Sequence, residues 1–124
     1  MIQEEKDLLL KDLCGRLPYG VIIKHGRDSS KLDTIFMCDS ISISSTSMDK
    51  KLSYNLDLDE VKPYLFPLSS MTEEQKKEEY EICKYYLNGY ESRLIDFYHK
   101  NHLDYRGLIL KGLAKDATNL NIYG

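Results

Sequence analysis

The sequence predicts an α+β fold: an N-terminal helix, an antiparallel sheet of three to four short strands, and two to three C-terminal helices packed on one face. Three observations carry this. Apolar residues recur at helical spacing near the start. They alternate at period two through the middle, as in "LSYNLDL". Helix-cap signals and a second helical periodicity follow from about residue 70 onward. Strands come first and helices after, without βαβ alternation, which favours a meander over a parallel sheet.

The leading helix is placed at residues 3–14. Leu9, Leu10, Leu13, Cys14 and Leu17 form a one-sided stripe. Glu4, Glu5 and Asp7 sit where the helix dipole favours negative charge. Gly15 is the expected stop, and Pro18 disfavours continuation. The strands follow as "YGVIIKHG", "LDTIFMC", "DSISIS" and "LSYNLDL", joined by the polar connectors "GRDSSK" and "SSTSMDKK". In "LSYNLDL" the leucines and Tyr54 take one face. Ser53, Asn55 and Asp57 take the other, which is the mark of a strand wet on one side.

"VKPYLFPLSSMTEEQ" reads as an extended crossing segment held by Pro63 and Pro67. Ser70…Glu73 and Thr72…Gln75 both fit a capping box for a helix reaching about Leu87, which Asn88–Gly89 ends. A helix from Glu91 to Lys100 follows, with Leu94, Ile95 and Tyr98 as its inner stripe. A third helix is expected from Tyr105 to Asp116. Gly112 would lie on its apolar face and admit a close neighbour.

The length of 124 residues fits a single domain, 1–124, with a core of its own. The net charge of −3 argues mildly against a nucleic-acid partner. No apolar run nears the ~20 residues of a bilayer span, and the acidic opening does not read as a signal peptide. The expected setting is therefore the cytoplasm, without membrane association. Cys14, Cys38 and Cys83 are odd in number and widely spaced, which favours buried free thiols over disulfides.

His99, His102 and Asp104 are the sharpest candidate metal ligands, because two histidines three apart can chelate from one helix face. The structural alternative places His102 at the core edge and Asp104 as the cap of the next helix, and leaves His99 without a structural task. A metal-dependent hydrolase would combine these residues with Asp57, Asp59 and Glu60 of "LDLDE". Nucleotide and hydrolase motifs are absent, so no catalytic residue and no cofactor is assigned.

Six of the ten tyrosines lie between Tyr80 and Tyr105. Tyrosine suits interfaces because its ring is apolar and its tip bonds. Tyr85 and Tyr90 are the expected contact residues of a protein interface. A nucleic-acid-associated module is the alternative, and needs Arg16, Lys24, Arg27, Lys31, Lys50 and Lys51 on one sheet face.

"LLLKDLCGRLPYGVII", "VKPYLFPLSSMTEEQKKE" and "HLDYRGLILKGLAKDA" together resemble a family of small uncharacterised proteins of phages, prophages and mobile elements of gut Bacteroidales. No activity comes with that resemblance, so it assigns no site residue. It implies a phage or mobile-element protein made in the bacterial cytoplasm. With the tyrosines, it favours a small non-enzymatic protein that works by protein–protein contact.

Overall fold

The computed structural model describes residues 1–37, 40–84 and 90–123, with Tyr90 described by its main chain only. Helix α1 spans Gln3–Arg16 and runs into a 3-10 turn at Leu17–Tyr19. Strands β1 (Ile22–His25), β2 (Asp28–Met37), β3 (Ile41–Ser47) and β4 (Ser53–Asp57) form an antiparallel meander. After a 3-10 turn at Leu58–Glu60, β5 (Val61–Leu65) returns to pair antiparallel with β1. Helices α2 (Glu73–Lys84) and α3 (Tyr90–Lys100) follow, and β6 (Lys115–Asp116) adds parallel to β5. The sheet order is β4-β3-β2-β1-β5-β6.

The sheet thus has six strands, against the three to four expected, because the crossing segment is itself a strand and the end of the expected third helix supplies β6. Pro63 lies within it, opposite Ile23. A proline is tolerated only where no ladder donor is needed. Ala117 N–H donates to Leu65 C=O on the β6 side. By alternation, Pro63 also turns its main chain away from β1, toward a stretch where β6 pairs only Tyr64 and Leu65.

Helix α1 covers the inner sheet face. Leu9 and Leu13 are fully buried against Val21, Ile23, Leu32, Ile43, Val61 and Leu65. Each such leucine contributes about 1.5–3 kcal/mol relative to exposure. The helix outruns its expected stop because Gly15 is an interior residue of α1, not its cap. Cys14, expected inside, is exposed.

The C-terminal helices are two, and they do not supply the layer that fills the sheet. Ile82 of α2 and Phe97 of α3 pack with Leu103, Phe66 and Met71 in a separate cluster beyond the end of β5. Thr72, rather than Ser70, caps α2. Its N–H donates to Gln75 Oε1 at 2.9 Å, and Gln75 N–H donates to Thr72 Oγ1 at 3.1 Å. The Asn88–Gly89 stop lies outside the described residues. In α3 the buried residues are Phe97 and His99, while Ile95 is exposed.

The helix expected over 105–116 does not form. This stretch is a chain of turns ending in β6. Gly107 and Gly112 both adopt left-handed backbone, with φ of 73° and 75°, conformations glycine takes at little cost. Nothing lies within 4 Å of a Cβ built on Gly112, so it permits a turn, not a close approach. Leu108, Leu113 and Ala114 still reach the main core, while Leu110 points to solvent.

Candidate functional site

Asp12 and Arg16, one turn apart on α1, are both fully buried. Arg16 Nε donates to Asp12 Oδ2 at 2.7 Å, and its Nη2 donates to Leu103 C=O at 2.7 Å. Arg106 Nε donates to Asp12 Oδ1 at 3.1 Å. Both guanidinium groups lie against the Tyr105 ring, 5.6 Å and 4.8 Å from its centroid, within the range of cation–π attraction. Two cations share one carboxylate here, and the electron-rich ring face offsets part of the excess charge. Removing Asp12 would strand the buried Arg16 charge, whereas removing Arg16 would leave Asp12 with Arg106 as its cation.

His99 joins this network. It is 5% exposed, and its Nε2 lies 2.8 Å from the Tyr105 hydroxyl. Its ring presses on Gly15, where a Cβ would meet His99 Cε1 at 2.5 Å. The residue to which the sequence assigns no structural task is therefore a packing element between α1 and α3. Burial, then Arg16, lowers its pKa, so the fold holds it neutral. Tyr105 stacks on Tyr98, whose hydroxyl donates to Glu79 Oε2 at 2.8 Å. Burial, then the Glu79 bond, pushes the Tyr98 phenol up.

His102 points elsewhere. It adopts φ of 56° just after α3 and stacks on Tyr123, with centroids 3.7 Å apart. Burial, then Arg16, pushes its pKa down to about 4. The Tyr123 hydroxyl accepts from Ile22 N–H at 2.9 Å and donates to Tyr64 C=O at 2.7 Å. It thereby stands in for the ladder bond that β1 and β5 do not make with each other. Two buried nitrogens, Arg16 Nη1 and His102 Nδ1, have no hydrogen-bond partner among the described residues.

Asp104 caps, as expected, but it caps turns instead of a helix. Its Oδ1 accepts from Leu108 N–H at 2.8 Å and its Oδ2 from Ile109 N–H at 2.9 Å. The metal set His99, His102 and Asp104 is thus divided among three structural tasks. Among the described residues, no three His, Cys, Asp or Glu side chains gather to hold a metal. Asp59 lies apart, 3.7 Å from Lys6 Nζ.

A second polar chain lies on the inner sheet face, unanticipated in the sequence. His25 Nε2 is 2.7 Å from Ser30 Oγ, and the Ser30 hydroxyl donates to Ser45 Oγ at 2.7 Å. A histidine beside a serine can activate a nucleophile. Here both serines are fully buried and the Tyr54 ring lies 4.5 Å from the His25 ring, so no substrate reaches them.

Among several grooves of similar size, one of about 440 Å³ lies between α2, α3 and the 3-10 turn at Tyr19. Ile82 and Phe97 form its floor, and Glu78, Glu81, Arg93, Asp96 and Lys100 its rim. Tyr80, 67% exposed, lies outside its lining, on the α2 face turned away from Glu78, Glu81 and Ile82. Tyr85, the first expected contact, lies outside the described residues. Tyr90 begins α3.

Of the basic residues considered together, Arg16 is buried in the core. Lys31 and Lys50 line one shallow groove with Asp33 and Thr46. No helix among the described residues is long and apolar enough to cross a membrane. The fold and these sites together define a mixed α/β protein with sealed polar networks and one charged, apolar-floored groove. No known protein family, curated protein or solved structure matches the chain.

Proposed function

We propose that this is a small non-enzymatic binding protein of phage or mobile-element origin, acting by protein–protein contact through the α2–α3 pair. The groove over Ile82 and Phe97 carries the reading. An apolar floor inside a rim of both charges suits a polypeptide that inserts one apolar side chain and pairs its flanking charges. Tyr80 is exposed on α2, and the sequence continues from that helix into the tyrosine-rich segment of Tyr85 and Tyr90. The origin rests on the resemblance of the three sequence blocks alone.

The test is photo-cross-linking from Tyr80, Tyr85 and Tyr90 in the producing cell, with Lys115 as control. A discrete protein adduct from the tyrosine positions, lost on Arg93→Glu with Phe97→Ala, is expected. Equal adducts from Lys115, or none from any position, would overturn the reading.

One observation favours a second reading, a nucleic-acid-associated module. Lys24 sits directly opposite Lys62 across the β1–β5 ladder, and Lys31 lies opposite Ile22 in the neighbouring row. Like charges in register repel, and a polyanion would relieve this. Binding of single-stranded and duplex DNA at low and moderate salt tests it. Lack of affinity at low salt removes it.

A further inference from the structure

Strand β4 is the last strand of the sheet on its side, paired with β3 along Ser53–Asp57. Its direction of bonding is fixed by the adjoining turn. Ser47 N–H donates to Leu52 C=O at 2.8 Å. By alternation, Tyr54 and Leu56 also turn their main-chain groups toward β3. Ser53, Asn55 and Asp57 turn theirs outward, and among the described residues no strand takes them up. The strand holds no proline and no lysine, and the register shift of the sheet lies in β2. Of the usual means of blunting an edge, the strand carries its shortness and the single charge of Asp57 at its end.

The sequence around this edge is its own complement. Read outward from Asn55, Ser53 mirrors Asp57, Tyr54 mirrors Leu56, and Leu52 mirrors Leu58. Beyond them, Lys51 mirrors Asp59 and Lys50 mirrors Glu60. All four of these charged residues are exposed.

We propose that β4 pairs antiparallel with β4 of a second copy of this chain, about a two-fold axis at Asn55. The three outward residues then face outward residues of the other copy, giving about six main-chain hydrogen bonds in closely spaced pairs. Tyr54 meets Leu56 of the partner subunit, an aromatic–aliphatic cross-strand pair. Outside the ladder, the turn carrying Lys50 and Lys51 comes to the same end of the interface as the 3-10 turn with Asp59 of the partner subunit and Glu60 of the partner subunit, so opposite charges face each other at both ends. The same patch on both copies closes the assembly as a dimer, with no end left to extend. Lys6, 3.7 Å from Asp59, stays close enough to share that carboxylate. This interface uses none of the groove residues and stands apart from the function proposed above.

Sedimentation velocity across a concentration series tests it. The wild type is expected to shift from monomer to dimer. Asn55→Pro removes an outward N–H and no internal ladder bond, so it should weaken association at least about tenfold with the fold retained by circular dichroism. Lys51→Glu, at an exposed turn, should weaken it by about three- to tenfold, and Asp59→Lys added to it should restore it. A wild type that stays monomeric throughout overturns the proposal. So does a dimer whose dissociation constant neither Asn55→Pro nor Lys51→Glu alters.

Discussion

Replacing Gly15 by alanine sets two effects against each other. Gly15 is the next-to-last residue of α1, where alanine gains at most about 1 kcal/mol by propensity. The structure reverses the sign. An added Cβ meets three atoms of one ring: His99 Cε1 at 2.5 Å, Nε2 at 3.1 Å and Nδ1 at 3.2 Å. The ring must retreat by about 1 Å to restore ordinary contact, yet it is buried and tied to Tyr105. Overpacking of this kind costs about 1–3 kcal/mol, and losing the Tyr105 bond adds about 1 kcal/mol. The net expectation is a loss of about 2 kcal/mol, or about 8 °C in Tm for a chain of this size. Urea unfolding followed by circular dichroism, on Gly15→Ala, His99→Ala and the double variant, gives the coupling. In the His99→Ala background the same glycine substitution should stabilise by at most about 1 kcal/mol. A Gly15→Ala protein as stable as wild type, or more so, would refute the packing of His99 against α1.

Three further outcomes follow from the same region. Asp104→Ala leaves the buried Leu108 N–H and the Ile109 N–H without their acceptor, which should cost about 2–4 kcal/mol in chemical denaturation, with Asp104→Asn costing less. Tyr123→Phe removes the hydroxyl between Ile22 and Tyr64. A loss of about 1–3 kcal/mol should appear with faster amide exchange at Ile22. His102 has its pKa depressed from 6.5 to about 4 by burial and then by Arg16, so the fold favours its neutral form. That contribution is complete above about pH 6.5 and is lost as pH falls toward 4. His99 acts in the same direction. His102→Asn, which suits the left-handed backbone, should flatten the stability profile in this window. An unchanged slope would remove His102 as its source.

The parts legible in the sequence are those where one local rule decides. The alternation over Ser53–Asp57, the Thr72–Gln75 box and the Leu9–Leu13 stripe each satisfy a short-range requirement and have their expected form, whereas Leu52 is exposed and Leu58 is buried from a 3-10 turn. The stretch 105–116 shows where such rules compete. Leu108 and Leu113 fit a helical stripe, and both are indeed buried. The two glycines state the opposite, and their left-handed backbone wins because Asp104 takes up the Leu108 and Ile109 N–H groups that a helix would otherwise order. Periodicity marked which residues go inside, and not the path between them.

The buried network was half visible for a different reason. Leu9, Asp12, Leu13 and Arg16 share one face of α1, with the spacing i, i+3, i+4, i+7. A carboxylate and a guanidinium on an otherwise apolar stripe are a signal of a buried ion pair, since an unpaired charge there would cost several kcal/mol. That much needs only a helical wheel. Nothing local tells that Arg106 and the Leu103 carbonyl complete the pair across some ninety residues. Nor does it tell that His99 is spent on packing against Gly15. The histidines drew attention because imidazole is the usual metal ligand, yet the fold uses them as neutral, shaped plates. Asp12 and Arg16 are the costlier groups to bury, and they hold the α1–α3 junction on which the proposed binding groove stands.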